Sequence, residues 1–117
     1  MAKYESRVRG DFSEFLKILE NGIVNGSASA SFEDGSDYEI NGIRCSVRVY
    51  ERYSIMGSNR VSMSVTLIGN GDEIFASVIT AGGSQAVFFK INTFGEESFL
   101  QCAVDIIESY KKRRQAL

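Results

Sequence analysis

Hydrophobic side chains repeat with a helical period near both ends of the chain. The first apolar stripe follows Asp11, whose carboxylate can cap a helix, and Asn21-Gly22 supplies a stop for that helix. A longer helix is predicted to begin near Thr93 and to run to about Lys112. The first stripe consists of Phe12, Phe15, Leu16 and Leu19, and the second of Phe99, Leu100, Ala103, Val104, Ile106, Ile107 and Tyr110.

Between the two stripes the period changes to two, which is typical of strands with one buried face. Alternation predicts strands over residues 28–32, 43–50 and 60–67, and apolar segments predict two more over 74–80 and 86–91. Residues 3–9 alternate weakly and indicate an edge strand. Asn70-Gly71 predicts a tight hairpin turn, and the acidic residues 33–39 predict a solvated loop.

Strands gathered between two helices predict a single α+β domain over residues 1–117. We expect an antiparallel sheet of four to six strands, with the N-terminal helix and the long C-terminal helix packed across one face. This arrangement resembles helix-grip and TBP-like domains, whose order is β-α-β(4)-α. A short basic tail is expected at about 111–117, where Lys111, Lys112, Arg113 and Arg114 are consecutive.

Several segments in the second half of the chain resemble a family of small uncharacterised proteins from Gram-positive bacteria. The resemblance implies a bacterial, cytoplasmic protein and carries no activity or substrate with it. The segments are Val49-Tyr50-Glu51-Arg52-Tyr53-Ser54, Ile68-Gly69-Asn70-Gly71-Asp72, Ala81-Gly82-Gly83-Ser84-Gln85-Ala86 and Phe89-Lys90-Ile91-Asn92-Thr93-Phe94-Gly95-Glu96.

Composition excludes several kinds of chemistry. The chain has no histidine and two cysteines, so the common zinc ligand sets and the Ser-His and Cys-His pairs are absent. Residues 1–110 carry nine basic and fifteen acidic side chains, which opposes binding to a phosphate backbone. No apolar run is long enough to cross a membrane. We therefore expect a protein that is not an enzyme, has no cofactor or metal, and binds neither nucleic acid nor membrane.

The alternating strands offer one candidate surface for a ligand or partner. In the strand over 43–50 the apolar set, including Cys45, is predicted to face the core, so that the arginines and the tyrosine between them lie on a solvated face. If the set containing Ile74 is also buried, an apolar pair in the fourth strand joins that solvated face, unless the N-terminal segment or the first helix covers it. The candidate residues are Arg44, Arg48, Tyr50, Arg52, Arg60, Phe75 and Ile79.

The sequence does not identify the function, and two classes of function are compatible with it. One is a non-catalytic binding module that holds a small apolar or amphipathic ligand between the C-terminal helix and the sheet, which would use part of the chain's eight phenylalanines. The alternative is a self-associating structural or interaction protein, a homodimer formed through the sheet face or the fourth strand.

Overall fold

A computed structural model describes residues 1–27, 29–53, 60–82 and 89–116, with side chains from residue 95 onward in the last range. Over these residues the chain is an α+β structure whose five strands form one antiparallel sheet in the order β1-β5-β4-β3-β2. This confirms the predicted fold class. In chain order the elements are β1 (Ala2–Arg9), α1 (Phe12–Gly26), β2 (Ser31–Ile40), β3 (Ile43–Tyr53), β4 (Arg60–Asn70), β5 (Glu73–Gly82) and α2 (Phe89–Ala116).

Helix α1 begins where the sequence predicts it, but a side chain of helix α2 takes part in its N-terminal capping. The Asp11 carboxylate accepts from the Glu14 amide at 2.8 Å, as an N-cap does. Glu14 does not return the bond to the Asp11 backbone. Instead the Tyr110 hydroxyl of α2 accepts from the Asp11 amide at 3.3 Å and donates to Glu14 Oε1 at 3.0 Å. The start of α1 is therefore tied to the C-terminal half of α2.

Gly22 does not end α1, and the predicted stop is wrong. The helix continues to Gly26. A Cβ atom at position 22 would lie 2.6 Å from Ile106 Cδ1, so the missing side chain is what lets α2 approach this closely. The glycine serves helix packing rather than termination.

The acidic segment predicted as a loop lies in strand β2. That strand spans Ser31–Ile40 and pairs with β3, with one register shift between Phe32 and Asp34. The strand predicted over 28–32 is therefore correct for residues 31 and 32 and wrong for 29 and 30, and residue 28 lies outside the described part of the chain. The connection to β3 is Asn41-Gly42, with φ of 51° and 80°. These left-handed values are what an Asn-Gly hairpin turn requires. The hairpin predicted at Asn70-Gly71 joins β4 to β5, but Asn70 still pairs with Glu73, so the turn is Gly71-Asp72, with φ of 62° at Gly71.

Helix α2 occupies two regions for which other structures were predicted. Residues 89–91 are helical, so the strand predicted over 86–91 is wrong there, and residues 83–88 lie outside the described part of the chain. At the other end the helix runs to Ala116, so the basic residues form its last turns and not a separate tail. Positive side chains are favourable there because the C-terminal end of a helix carries a partial negative charge. Lys111 Nζ also donates to Ser6 Oγ of β1 at 2.9 Å.

Both helices pack on one face of the sheet, which we call the covered face; the other is the open face. The core between helices and sheet includes Phe99, Ala103 and Ile107 of α2, none of them exposed. The Ile74 set of β5 (Ile74, Ala76 and Val78) lies in this core, which is the condition under which Phe75 and Ile79 were expected on the opposite face. Neither described helix has an apolar stretch that could span a bilayer. The core residues are Val8, Phe12, Phe15, Leu16, Leu19, Ile23, Tyr50, Val61, Met63, Val65, Leu67, Ile74, Ala76, Val78, Phe99, Ala103, Ile107 and Tyr110.

Candidate functional site

The predicted orientation of β3 is wrong, and this changes which residues form a surface. Arg48 pairs with Val65 of β4, and Tyr50 pairs with Met63. Paired residues of antiparallel strands point to the same face, and both β4 partners are buried. Four candidate residues, Arg44, Arg48, Tyr50 and Arg52, therefore lie on the covered face, whereas Cys45, Val47 and Val49 lie on the open face.

Two of these arginines pack on core aromatic rings. The Arg44 guanidinium carbon lies 4.3 Å from the Phe12 ring centroid, and that of Arg52 lies 4.7 Å from the Phe99 ring centroid. Such long side chains cover apolar surface with their stems while the charged group contacts a ring or a polar atom at the edge. Arg44 also donates to Ser13 Oγ at 2.8 Å, and Arg52 to Ser27 Oγ at 3.0 Å. Both arginines thus attach α1 to β3.

Arg48 is nine-tenths buried and links three elements. Its Nε donates to Glu20 of α1 at 2.8 Å, and its Nη2 donates to both carboxylate oxygens of Asp37 in β2 at 3.0 and 3.1 Å. Ser46 Oγ donates to the same Asp37 carboxylate at 2.6 Å. The guanidinium is occupied by internal partners, so Arg48 serves the attachment of the β2 edge and not an external anion.

These bonds lower the pKa of Asp37, with the Ser46 hydroxyl as the largest cause and Arg48 second. Because the folded-state pKa lies below the unfolded one, this stabilisation is complete above about pH 4 and is lost as the pH falls through the lowered value.

We expect Ser46→Ala to raise the pKa of Asp37 toward its ordinary value, because the largest cause of the shift is removed. Titration of the Asp37 side-chain carbon by NMR, in the wild type and in Ser46→Ala, measures the change. An unchanged Asp37 pKa in the variant would contradict the assigned role of the Ser46 hydroxyl.

Tyr50 is the remaining candidate on the covered face, and it belongs to the core. The residue is 1% exposed, and burial raises its pKa to about 12. Its ring meets that of Phe32 edge to face, with centroids 5.9 Å apart. Tyr50 therefore stays neutral at physiological pH and supports β2, so it offers no surface to a partner.

Phe75 and Ile79 do lie on the open face, as predicted, and each remains more than a third exposed, at 37% and 38%. Strand β1 pairs edge to edge with β5 and does not fold over them, and α1 lies on the covered face. Over the described residues, neither the N-terminal segment nor the first helix covers this pair.

The open face is far more apolar than the sequence pattern predicted. Exposed Ile68 in β4 and half-buried Cys45 in β3 continue the surface across the sheet from Phe75. A shallow groove of about 460 Å³ follows the end of this surface nearest β1, lined by Ile68 and Phe75 among others. The apolar residues of the open face, all exposed or half-buried, are Tyr38, Ile40, Ile43, Cys45, Val47, Val49, Ile68, Phe75 and Ile79.

The strand register arranges the open face in rows that run across the strands from β2 to β1. One row is Tyr38, Cys45, Ile68, Phe75 and Arg7, and another is Asp34, Val49, Ser64, Ile79 and Lys3. The row between them is Ser36, Val47, Thr66, Ser77 and Glu5. In these three rows every charged residue lies in an edge strand. The apolar residues come from the middle three strands and from Tyr38 of β2, with Ser64, Thr66 and Ser77 between some of them.

Arg60, the last candidate, lies at one end of the open face. It pairs with Tyr53 in the sheet, and its guanidinium lies 5.5 Å from the Tyr53 ring centroid. It also forms ion pairs with Glu51 at 2.9 Å and Glu33 at 3.4 Å. Arg60 thus connects β2, β3 and β4 at the rim of the apolar surface.

Comparison with known proteins gives a family but no activity. The model of a family of unknown function (DUF6054) matches residues 1–111. No curated protein matches the sequence.

Proposed function

The chain belongs to this family of unknown function, and from the open face we propose that it is a self-associating interaction protein whose partner is a second copy of itself. One observation supports the proposal above all. An apolar surface runs across the sheet from Tyr38 of β2 through Cys45 and Ile68 to Phe75, and extends along β3 through Val47 and Val49. It lies opposite the face that both helices cover. Contiguous exposed apolar patches rimmed by polar residues mark interaction surfaces in soluble proteins.

The size of the open face suits a dimer. Five strands about 4.8 Å apart, with eight residues rising about 3.3 Å each along β1, give a face of roughly 600 Å² in projection. Side-chain relief makes the accessible area larger, and a standard interface buries about 800 Å² per partner. Two sheets stacked through such faces form a sandwich with a core about 10 Å thick.

A non-catalytic role is part of the proposal. The chain lacks histidine, and the best connected polar cluster of the described residues, around Arg48, is built from internal ion pairs. A bacterial cytoplasmic setting is also proposed. It is supported by the two free thiols, Cys45 and Cys102, which persist where thiols are kept reduced.

The other function left open by the sequence, a small apolar ligand between α2 and the sheet, gains no support from the packing. The described side chains of α2 that face the sheet, such as Phe99, Ala103 and Ile107, are fully buried against protein atoms. We therefore expect the open face, and not the helix–sheet interface, to carry the function.

Native mass spectrometry after gentle purification distinguishes the two functions. Self-association predicts a clean mass of twice the chain at micromolar concentration. A monomer that retains an extra few hundred daltons would favour the small-molecule function instead. A monomer without added mass would overturn the proposed self-association.

A further inference from the structure

The charges at the rim of the open face determine how two copies can stack, an inference that rests on the proposed self-association. Strand β1 places Lys3 and Arg7 on this face with Glu5 between them, and β2 places Asp34 there at the opposite edge. The row that begins with acidic Asp34 ends with basic Lys3. The two ends of one row therefore carry opposite charges.

Two stacked sheets with aligned strands can be related by a two-fold axis in either of two directions. An axis parallel to β4 lays each row over the same row of the second copy in reverse order. Lys3 then faces the second copy's Asp34, Ile79 faces its Val49, and Phe75 faces its Cys45. Arg7 faces the ring of its Tyr38, where a cation–π contact is favourable.

An axis perpendicular to the strands, centred on the row through Thr66, gives a different result. It lays β1 over β1, so Lys3 faces the second copy's Arg7, and Glu5 faces the same residue of the second copy. Every charged pair formed across β1 is then of like sign, which opposes association. The apolar residues would be covered in both arrangements, so the charges decide between them.

We propose that two copies of this chain pair through their open faces about a two-fold axis parallel to β4, with Lys3 of each copy beside Asp34 of the other. The β1 edge of one copy lies over the β2 edge of the other, and the apolar rows fill the space between the sheets. The charges at the rim are self-complementary, as a two-fold interface requires.

Two single variants test this pairing by sedimentation equilibrium. Lys3→Glu places two acidic groups together at each end of the dimer, and Asp34→Lys places two basic groups together. Each should raise the dissociation constant about tenfold, because attraction becomes repulsion at two symmetric positions. An equimolar mixture should restore the dimer, since each mixed pair again brings opposite charges together. Lys17→Glu, an exposed change on α1, is the matched control and should leave association unchanged.

A measurement on the wild type alone supports the same test. Salt screens attraction between the rims, so the dissociation constant should rise with ionic strength, whereas the perpendicular arrangement predicts that it falls.

The outcomes separate this inference from the proposed function. A wild type that is monomeric overturns the self-association itself. A wild-type dimer that dissociates in Phe75→Glu, but whose charge variants gain nothing from mixing, keeps the open face as the interface and overturns this orientation.

Discussion

Replacing Phe75 by glutamate should convert the self-associated protein into a folded monomer. Phe75 lies on the open face, one strand in from the β1 edge, and is flanked by Ile68 of β4 and Arg7 of β1. In the dimer its ring is buried against the second copy, so a carboxylate there would be desolvated, and pairing with Arg7 would draw that guanidinium away from the second copy's Tyr38. In the monomer the same position is 37% exposed, so the charge is solvated and the fold is retained. Sedimentation velocity at tens of micromolar, with circular dichroism for folding, measures both effects.

Val24 provides the matched control for this experiment. It lies on α1, away from the open face, with an exposure of 38% that is close to that of Phe75. Val24→Glu introduces the same charge at the same exposure and should leave the dimer intact. Equal loss of association in both variants would show a general effect of charge and would contradict the open face as the interface.

The largest expected effect on stability comes from α2. Ile107 is fully buried between this helix and the sheet, so Ile107→Ala should lower the free energy of unfolding by about 2–5 kcal/mol through lost burial and the cavity left behind. The neighbouring Ile106 is only half-buried and projects toward Gly22 of α1. Ile106→Ala should therefore lower the free energy of unfolding by clearly less than Ile107→Ala does. Urea denaturation of the two variants and the wild type compares the same isoleucine-to-alanine change at a fully buried and at a half-buried position.

Equal losses of unfolding free energy in the two variants would contradict the deeper burial of Ile107 and the partial burial of Ile106. A loss below about half a kcal/mol at Ile107, the size of an ordinary surface change, would contradict the docking of α2 itself. A change in the slope of unfolding against urea would instead point to altered compactness of the unfolded chain.

The sequence carried enough information for the fold class because its local signals agree with the tertiary structure. Asp11 caps α1 as its position predicts, and a tight hairpin turn follows Asn70, one residue later than predicted. The predicted edge strand over 3–9 exists as β1. The cap and the hairpin depend on neighbours close in the chain, which is why they can be read from the sequence, whereas β1 was indicated by its alternation although its partner β5 is distant.

The orientation of β3 could not be read in this way. Both faces of the strand are chemically mixed, and the usual rule that aliphatic residues face inward selects the wrong one. Arg44 and Arg52 lie on the covered face because Phe12 and Phe99, from distant helices, provide rings for their guanidinium groups. Arg48 lies there because Glu20 and Asp37 pair with it. Long-range contacts, rather than the alternation of apolar and polar residues, determine which side of β3 faces the helices.

The dependence on contacts distant in the chain also explains why β2 was not predicted and why α1 was predicted to end too early. Strand β2 is acidic and exposed along most of its length, so it has no apolar face to signal it, although the Asn41-Gly42 turn beside β3 was a usable signal. Gly22 resembles a stop until the position of Ile106 on the other helix is known.

The candidate site was predicted in part for the same reason. Phe75 and Ile79 were placed correctly because β5 carries apolar residues on both of its faces and the Ile74 set is the buried one. The apolar residues of β3 on the open face were assigned to the core. The opposite charges at the two ends of the Asp34–Lys3 row became visible only with the strand order, which sets β1 and β2 at opposite edges.

The reactivity of Cys45 tests self-association through the open face most directly, because the native chain already carries the probe. Cys45 is a half-buried free thiol on the open face, and in the proposed dimer it lies under Phe75 of the second copy. Cys102, a free thiol on α2 that donates to Ser98 O, is the internal reference. Mass spectrometry of the alkylated protein, over a range of protein concentrations, gives both rates at once. We predict that alkylation of Cys45 slows as the concentration rises while that of Cys102 stays constant; a Cys45 rate that does not depend on concentration, in a protein that sediments as a dimer, would contradict the account.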